Sequence, residues 1–250
     1  MSILVVKELS KSFGGVQAVA GVSFSVAAGE MLAMIGPNGA GKTTCFNMLN
    51  GQLAPDSGSI EMEGRSLLGK APRDICRSGV GRTFQVTATF GSMSVRENVQ
   101  LALLSHAGRT SSVFSSFSDV FSEQAYELLN KTGMEAQAER QCAELAYGDL
   151  KRVELAMALA SRPRLLLMDE PTAGMATAER RELMQLTANL ARDSRIAVLF
   201  TEHDMDVVFR HADRVIVLSD GALIAQGTPA EMRADARVRR VYLGEETADA

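Results

Sequence analysis

The chain has 250 residues, 46% of them hydrophobic, which allows one large domain or two small lobes around a hydrophobic core. Its formal net charge is −4, so no global basic field favours nucleic acid as a partner. Three scattered cysteines and three scattered histidines predict neither a disulfide framework nor a zinc site. The longest apolar runs fall far short of the roughly 20 residues that span a bilayer, so any work at a membrane is expected to depend on a partner.

The N-terminal part of the chain predicts mainly strands. Two stretches alternate apolar and polar residues, which is typical of an antiparallel sheet. A buried strand then ends in a glycine-rich loop and a helix from Thr43 through Leu49, before a turn with an edge strand and one further strand. The strand segments are, in order, ILVVKEL, VSFSV, GEMLAMIG, PDSGSIEMEG and VGRTFQ.

The C-terminal part predicts a helical insertion and then alternating strands and helices. From about residue 92 to 140, amphipathic stretches flank a Ser-rich segment, GRTSSVFSSFS, which predicts a flexible loop inside the insertion. A helix over about 150–161 follows. The alternation after it indicates parallel α/β layers. Its segments are the strand RLLLMDE, the helix TAERRELMQLTANLARD, the strand RIAVLFTE, a helix from about Met205 and the hairpin RVIVLSDGALIAQG.

A glycine-rich loop lies between a predicted buried strand and a predicted helix. Its sequence, GPNGAGKTT, fits the phosphate-binding pattern G-x-x-x-x-G-K-S/T, and this context disfavours a chance glycine loop. Glycines let successive backbone N–H groups face a phosphate, Lys42 can reach the β- and γ-phosphates, and the Thr43 hydroxyl can bind Mg²⁺. The candidate nucleotide-binding residues are Gly36, Pro37, Asn38, Gly39, Ala40, Gly41, Lys42, Thr43 and Thr44.

Two acidic residues end the predicted buried strand RLLLMDE. Asp169 is expected to hold Mg²⁺ through water, and Glu170 to polarise an attacking water as a general base. The alternative is a polar strand end with a helix cap. A second phosphate-binding feature is the turn that opens LAYGDLKRVELAMALA, because a helix N-terminus offers unpaired N–H groups and partial positive charge. That stretch alone does not identify the anion.

Together these motifs resemble the ATP-binding cassette (ABC) family of transport ATPases over nearly the whole chain. GPNGAGKTT is similar to its Walker A motif, LLLMDE to Walker B, and LAYGD stands at the signature position. The resemblance implies an α/β fold: a P-loop NTPase with a RecA-like core, an antiparallel β subdomain and a helical signature subdomain. One nucleotide-binding domain would span residues 1–250, with its core at about 1–91 and 162–250 and a helical lobe at about 92–161.

Three single residues match further family positions. Phe13 resembles the aromatic residue that stacks on adenine, although a core phenylalanine is the alternative. Gln85 matches the Q-loop, whose amide can approach Mg²⁺ or the lytic water; the alternative is an ordinary loop amide. His203 matches the switch histidine that donates to the γ-phosphate, and the alternative is a structural histidine.

The resemblance also implies how two cassettes share ATP. In the family they pack head to tail, so the signature residues Ala146, Tyr147, Gly148 and Asp149 would face ATP held by the opposing subunit. ATP binding would then close the dimer, and hydrolysis would release it. Two departures make a fully active homodimer less assured: Ala146 replaces the usual serine, and the D-loop sequence AGMA at 173–176 lacks the frequent aspartate. Pairing with a second, different cassette would resolve this.

The C-terminal stretch ADARVRRVYLGEE resembles the end of cassettes from branched-chain, or hydrophobic, amino acid importers, although a solvated terminal helix is the alternative. That subfamily implies two membrane permeases, a second cassette and a periplasmic binding protein, with this chain peripheral at the cytoplasmic face of the inner membrane. Two other functions stay open: an exporter or lipid-trafficking cassette, and a soluble cassette acting in DNA repair or translation. The sequence does not identify the cargo.

Overall fold

The computed structural model describes residues 2–83, 89–108 and 120–243. An antiparallel sheet of four strands has the order β2-β1-β4-β5. The prediction that β4 is an edge strand is wrong, since β4 lies between β1 and β5. The sequence did not indicate β5 because it has only two residues, after the tight turn at Glu63 and Gly64. The strands are β1 (Ser2–Phe13), β2 (Val16–Ala27), β4 (Ser57–Met62) and β5 (Arg65–Ser66).

A second sheet has six strands in the order β10-β9-β3-β8-β7-β6. All adjacent pairs are parallel except β9 and β10, which form the predicted hairpin. Strands β3, β7 and β8 are buried along their whole length, as expected for near-continuous apolar runs in a parallel sheet. The six strands are β3 (Met31–Ile35), β6 (Val80–Thr83), β7 (Leu165–Asp169), β8 (Ala197–Thr201), β9 (Arg214–Ser219) and β10 (Ala222–Gly227).

Two hydrophobic clusters cover opposite faces of this parallel sheet. Leu32 and Met34 belong to the cluster shared with the antiparallel sheet and α1. Ala33 and Ile35 belong to the cluster shared with α5 (Tyr147–Leu159), α6 and α7. The six-residue helix α2 was not predicted, because it is too short to show a helical period. The helices outside the predicted insertion are α1 (Lys42–Leu49), α2 (Pro72–Arg77), α6 (Thr177–Ser194), α7 (Met205–His211), α8 (Pro229–Ala234) and α9 (Ala236–Leu243).

A third cluster belongs to the predicted helical insertion. Its buried members run from Val95 to Ala156 and lie on α3 (Val95–His106), α4 (Ser122–Lys131), α5 (Tyr147–Leu159) and the turns between α4 and α5. This separate cluster supports the proposed division into a core and a lobe over about 92–161. The predicted flexible loop falls almost entirely on residues 109–119, outside the described residues. No helix in the described ranges is both long and apolar enough to cross a bilayer.

Candidate nucleotide-binding site

The candidate residues meet at one edge of the parallel sheet. Strands β3, β7 and β8 are adjacent and parallel, so their carboxyl ends lie side by side. The phosphate loop follows β3, Asp169 ends β7 with Glu170 next to it, and His203 comes two residues after β8. Ligands of open α/β sheets bind at this kind of edge.

The phosphate loop needs glycine where neighbouring backbone comes close. A side chain on Gly36 would collide with the Leu218 carbonyl oxygen, and one on Gly41 with that of Ala18. Gly41 also has a φ of 97° and forms the N-cap of α1, so the loop turns directly into that helix. The first-turn N–H groups of α1 thus begin at the loop, as phosphate binding requires.

Lys42 is buried inside the loop that it is expected to serve. Its Nζ donates to the carbonyl oxygens of Gly36 at 2.6 Å and Pro37 at 3.0 Å. Burial lowers the pKa of Lys42, and the nearby carboxylates of Glu170 and Asp169 oppose that shift. Phosphate oxygens could replace the two carbonyl acceptors of this ammonium.

The acidic pair of β7 is held by the neighbouring strand. The Thr201 hydroxyl donates to Asp169 Oδ1 at 2.7 Å and accepts from the Glu170 backbone N–H at 3.0 Å. Glu170 has a φ of 48°, a left-handed conformation that non-glycine residues seldom adopt. Its Oε1 lies 3.0 Å from Nε2 of His203, so the predicted base and the predicted switch histidine are in contact.

Sequence reasoning missed two groups that complete this edge. Arg82 on β6 places a guanidinium nitrogen 3.7 Å from Asp169 Oδ2 and bonds the side chains of Asn47 and Gln52. Glu202 is buried and accepts from the Thr172 N–H at 2.8 Å and hydroxyl at 2.7 Å. Burial raises the pKa of Glu202, and these hydrogen bonds oppose the shift. The only signal for either residue was its position beside a recognised motif.

Phe13 is not a core phenylalanine. Half of its surface is exposed at the end of β1, where it pairs with Val16 across the hairpin. On the next strand, the carbonyl oxygen of Ala18 lies close to Gly41 of the phosphate loop. The Lys11 ammonium lies 5.7 Å from the ring centroid, so stacking of adenine on this ring stays a prediction. Gln85 lies outside the described residues, so its role stays a prediction.

The signature turn lies at the start of α5. The helix begins at Tyr147, with Ala146 as an N-cap that has no side-chain hydrogen bond, so the predicted start near residue 150 is about one turn late. Gly148 packs against Glu179 of α6, and the Tyr147 ring lies against Gly174 of the D-loop. The turn thus contacts the D-loop and α6 of its own chain.

Comparisons with known proteins agree with this arrangement. A family model described as ABC transporter matches residues 19–173, and one described as Branched-chain amino acid ATP-binding cassette transporter matches residues 222–248. The chain is 40% identical to the high-affinity branched-chain amino acid transport ATP-binding protein LivG of Salmonella typhimurium, over 97% of this chain and 98% of that protein. It is 38% identical to BraF of Pseudomonas aeruginosa, which bears the same description, over 97% and 98%.

A further relative and a solved structure extend the comparison. The lipopolysaccharide export system ATP-binding protein LptB of Escherichia coli is 34% identical over 98% of this chain and 99% of that protein. The crystal structure of the ADP conformation of MJ1267, an ATP-binding cassette of an ABC transporter, is 31% identical with a TM-score of 0.86. It covers 98% of this chain and 100% of that one. With its motifs in order and its fold shared along the whole length, the chain belongs to the ABC transporter family of ATPases.

Proposed function

We propose that this chain is the ATP-hydrolysing, energy-coupling subunit of a bacterial ABC importer for branched-chain or other hydrophobic amino acids. The observation that carries the proposal is the meeting of the phosphate loop, the acidic pair and the switch histidine at one sheet edge. The amino acid class is supported by the names of LivG and BraF and by the family model that matches residues 222–248.

Each proposed site residue has its own role in ATP hydrolysis. Lys42 and the loop N–H groups bind the phosphates, while Phe13 stacks on adenine. Glu170 accepts a proton from the water that attacks the γ-phosphorus, so that inorganic phosphate forms and ADP leaves. His203, whose Nε2 contacts Glu170, donates to a γ-phosphate oxygen once ATP is bound. Its move away from Glu170 would let that carboxylate approach the attacking water as the base.

The site fits Mg²⁺ that arrives with the nucleotide. Among the described residues there is no cluster of three or more His, Cys, Asp or Glu able to hold a metal. Mg²⁺ needs no such cage, because it usually takes one or two protein oxygens together with phosphates and water. The exposed Thr43 hydroxyl and the Asp169 carboxylate supply such oxygens, and Gln85 is a further proposed contact. When bound, the ion would neutralise charge on the phosphates.

A second cassette would complete each ATP site. Because Ala146 provides no side-chain cap, the first-turn N–H groups of α5 are left for an anion, and the proposed anion is the γ-phosphate on an opposing subunit. The opposing subunit is a second copy of this chain or a different cassette. In either case ATP binding closes the pair, and hydrolysis opens it.

Two permeases would contact the groove between the core and the helical lobe. The groove has a volume of about 450 Å³ and lies between α2, β6, α3 and α5. Its lining includes Ile75, Val80, Ala102, Met157 and Ala158. An apolar groove that touches both lobes could transmit their relative movement to a permease. The chain would then be peripheral at the cytoplasmic face of the inner membrane, would meet the binding protein only through the permeases, and would have no nucleic-acid partner.

Copurification with neighbouring gene products tests this proposal. We expect two permeases and a second cassette to be recovered with the chain, and ATP hydrolysis by the reconstituted complex to rise with a binding protein loaded with leucine, isoleucine or valine. Because LptB is also a relative, lipopolysaccharide in place of amino acid is the matched alternative. Stimulation by lipopolysaccharide alone would favour an export cassette, and the absence of any ATP hydrolysis would contradict the proposal.

A further inference from the structure

The switch histidine lies between two anchored neighbours. Before it, Glu202 is buried and accepts two hydrogen bonds from Thr172, which belongs to the segment after Walker B. After it, Asp204 caps α7, because its Oδ1 accepts from the backbone N–H groups of Asp206 at 3.0 Å and Val207 at 3.3 Å. The position of His203 is therefore set by what holds these two residues.

Arg180 connects the second anchor to the D-loop. Its Nε donates to the carbonyl oxygen of Met175 at 2.7 Å, and its Nη1 donates to Oδ2 of Asp204 at 2.9 Å. One planar guanidinium thus joins the D-loop to the residue that follows the switch histidine. A lysine has one nitrogen at the end of its side chain and cannot present two donors in this fixed fork.

The ion pair between Arg180 and Asp204 contributes little to the stability of the fold, but it can fix the local geometry. The side chains of Arg180 and Asp204 are 31% and 28% exposed, and pairs of this kind contribute about 1 kcal/mol or less. However, Oδ2 of Asp204 accepts from Arg180, while Oδ1 accepts from the backbone at the start of α7. A shift of Arg180 that keeps its hydrogen bond to Asp204 therefore moves the turn that carries His203.

We propose that Arg180 is a positioning residue for His203, holding the imidazole where its Nε2 meets Glu170. The proposal rests on the proposed function, since it concerns the same ATP site. It gives the D-loop a mechanical link to the switch histidine within one chain. Thr172 and Glu202 hold one side of the histidine, and Arg180 and Asp204 hold the other.

Steady-state ATP hydrolysis by the full-length chain tests the link. Arg180→Ala is expected to lower kcat about tenfold while the nucleotide Kd changes by about twofold or less, because no nucleotide contact is lost. In a His203→Ala background the same substitution should add about twofold or less, since both act through one group. Arg181→Ala, an exposed neighbour on α6, is the matched control and should leave kcat unchanged. An equal loss in both backgrounds, or no loss in either, would overturn the proposal.

Imidazole NMR signals give a readout that does not need turnover. The chain has three histidines, so the signal absent from His203→Ala identifies that residue. Arg180→Ala should shift this signal in the nucleotide-free protein and leave the exposed His106 signal in place, whereas Arg181→Ala should move neither. Asp204→Asn, which keeps the cap on α7 but loses the charge, should give a smaller shift. An unmoved His203 signal in both variants refutes the positioning role, whereas an inactive wild-type chain would contradict only the proposed function.

Discussion

Lys42 is expected to bind phosphate, but burial of its charge destabilises the folded chain. Burial lowers its pKa, which means that the folded state disfavours the charge at neutral pH, where the ammonium is protonated. Lys42→Ala is therefore expected to change the unfolding midpoint by only a few degrees, about what 1 kcal/mol produces. The nucleotide Kd should rise about 10- to 100-fold, because a charged hydrogen bond to phosphate is lost. Fluorescent-nucleotide titration and thermal unfolding measure both, with the exposed Lys7→Ala as control. Near-normal affinity would remove Lys42 from the site.

The three cysteines should differ in reactivity. Burial raises the pKa of Cys45 to about 12 and also raises that of the buried Cys142, so both thiols stay protonated near pH 8. Burial raises the pKa of Cys76 as well, but this thiol is only partly buried and lines the groove between the lobes, so the reagent can reach it. Maleimide labelling followed by mass spectrometry should modify Cys76 first, and the other two only after denaturation. Rapid labelling of Cys45 in the folded chain would contradict the packing around α1.

Residues of the site were predictable where their chemistry is local. The phosphate loop is a run of neighbours whose glycines and lysine work together, so the sequence pattern indicates it directly. Thr201 and Asp169 are 32 residues apart, and no pattern in either segment predicts their hydrogen bond. Arg82 was missed for the same reason. Its partner Asp169 lies on the next strand of the sheet but far away in the chain.

Elements were predicted well where they are long and periodic, and less well at their ends. Glycine costs about 1 kcal/mol in a helix, so Gly148 does not by itself favour an early start of α5. Packing of that glycine against Glu179 accompanies a helix that starts earlier, at Tyr147. The same limit applies to α2 and β5, which are too short for a period to show.

The start of α5 offers a direct test at this scale. Ala146→Ser should stabilise the chain by about 0.5–2 kcal/mol, because a serine N-cap satisfies a first-turn N–H group. It should also strengthen ATP-dependent association of the Glu170→Gln chain by about tenfold, if its hydroxyl donates to phosphate. Ala71→Ser, at the uncapped N-terminus of α2, is the control that should affect stability alone. Denaturant unfolding and sedimentation measure the two effects. A gain in stability without a gain in association would show that the backbone N–H groups already suffice.

At the scale of the whole molecule, the layers were predictable and the strand order was not. Alternating strands and helices after the insertion imply a parallel sheet covered on both faces, and the two clusters that share β3 confirm it. The observed order places β3 between β8 and β9, which come more than 150 residues later in the chain. Such pairings depend on tertiary packing that no local pattern records. They nevertheless bring the phosphate loop beside the acidic pair.

Closure of two cassettes around shared ATP can be tested only on the assembled dimer. Glu170→Gln keeps the shape of the side chain but cannot accept the proton, so the chain should hold ATP and accumulate as a dimer, alone or with the second cassette. Glu127→Gln, an exposed change on α4, should remain monomeric in ATP because it still hydrolyses. Ala146→Asp in the Glu170→Gln background should fold normally, since Ala146 is exposed at the N-cap of α5, a position where aspartate is favoured. It should nevertheless lose the dimer, because the added carboxylate would repel the γ-phosphate of the opposing nucleotide. Size-exclusion chromatography with light scattering distinguishes these states. A dimer that survives Ala146→Asp, or a Glu170→Gln chain that stays monomeric with ATP and the second cassette, would show that the signature turn does not bind shared ATP.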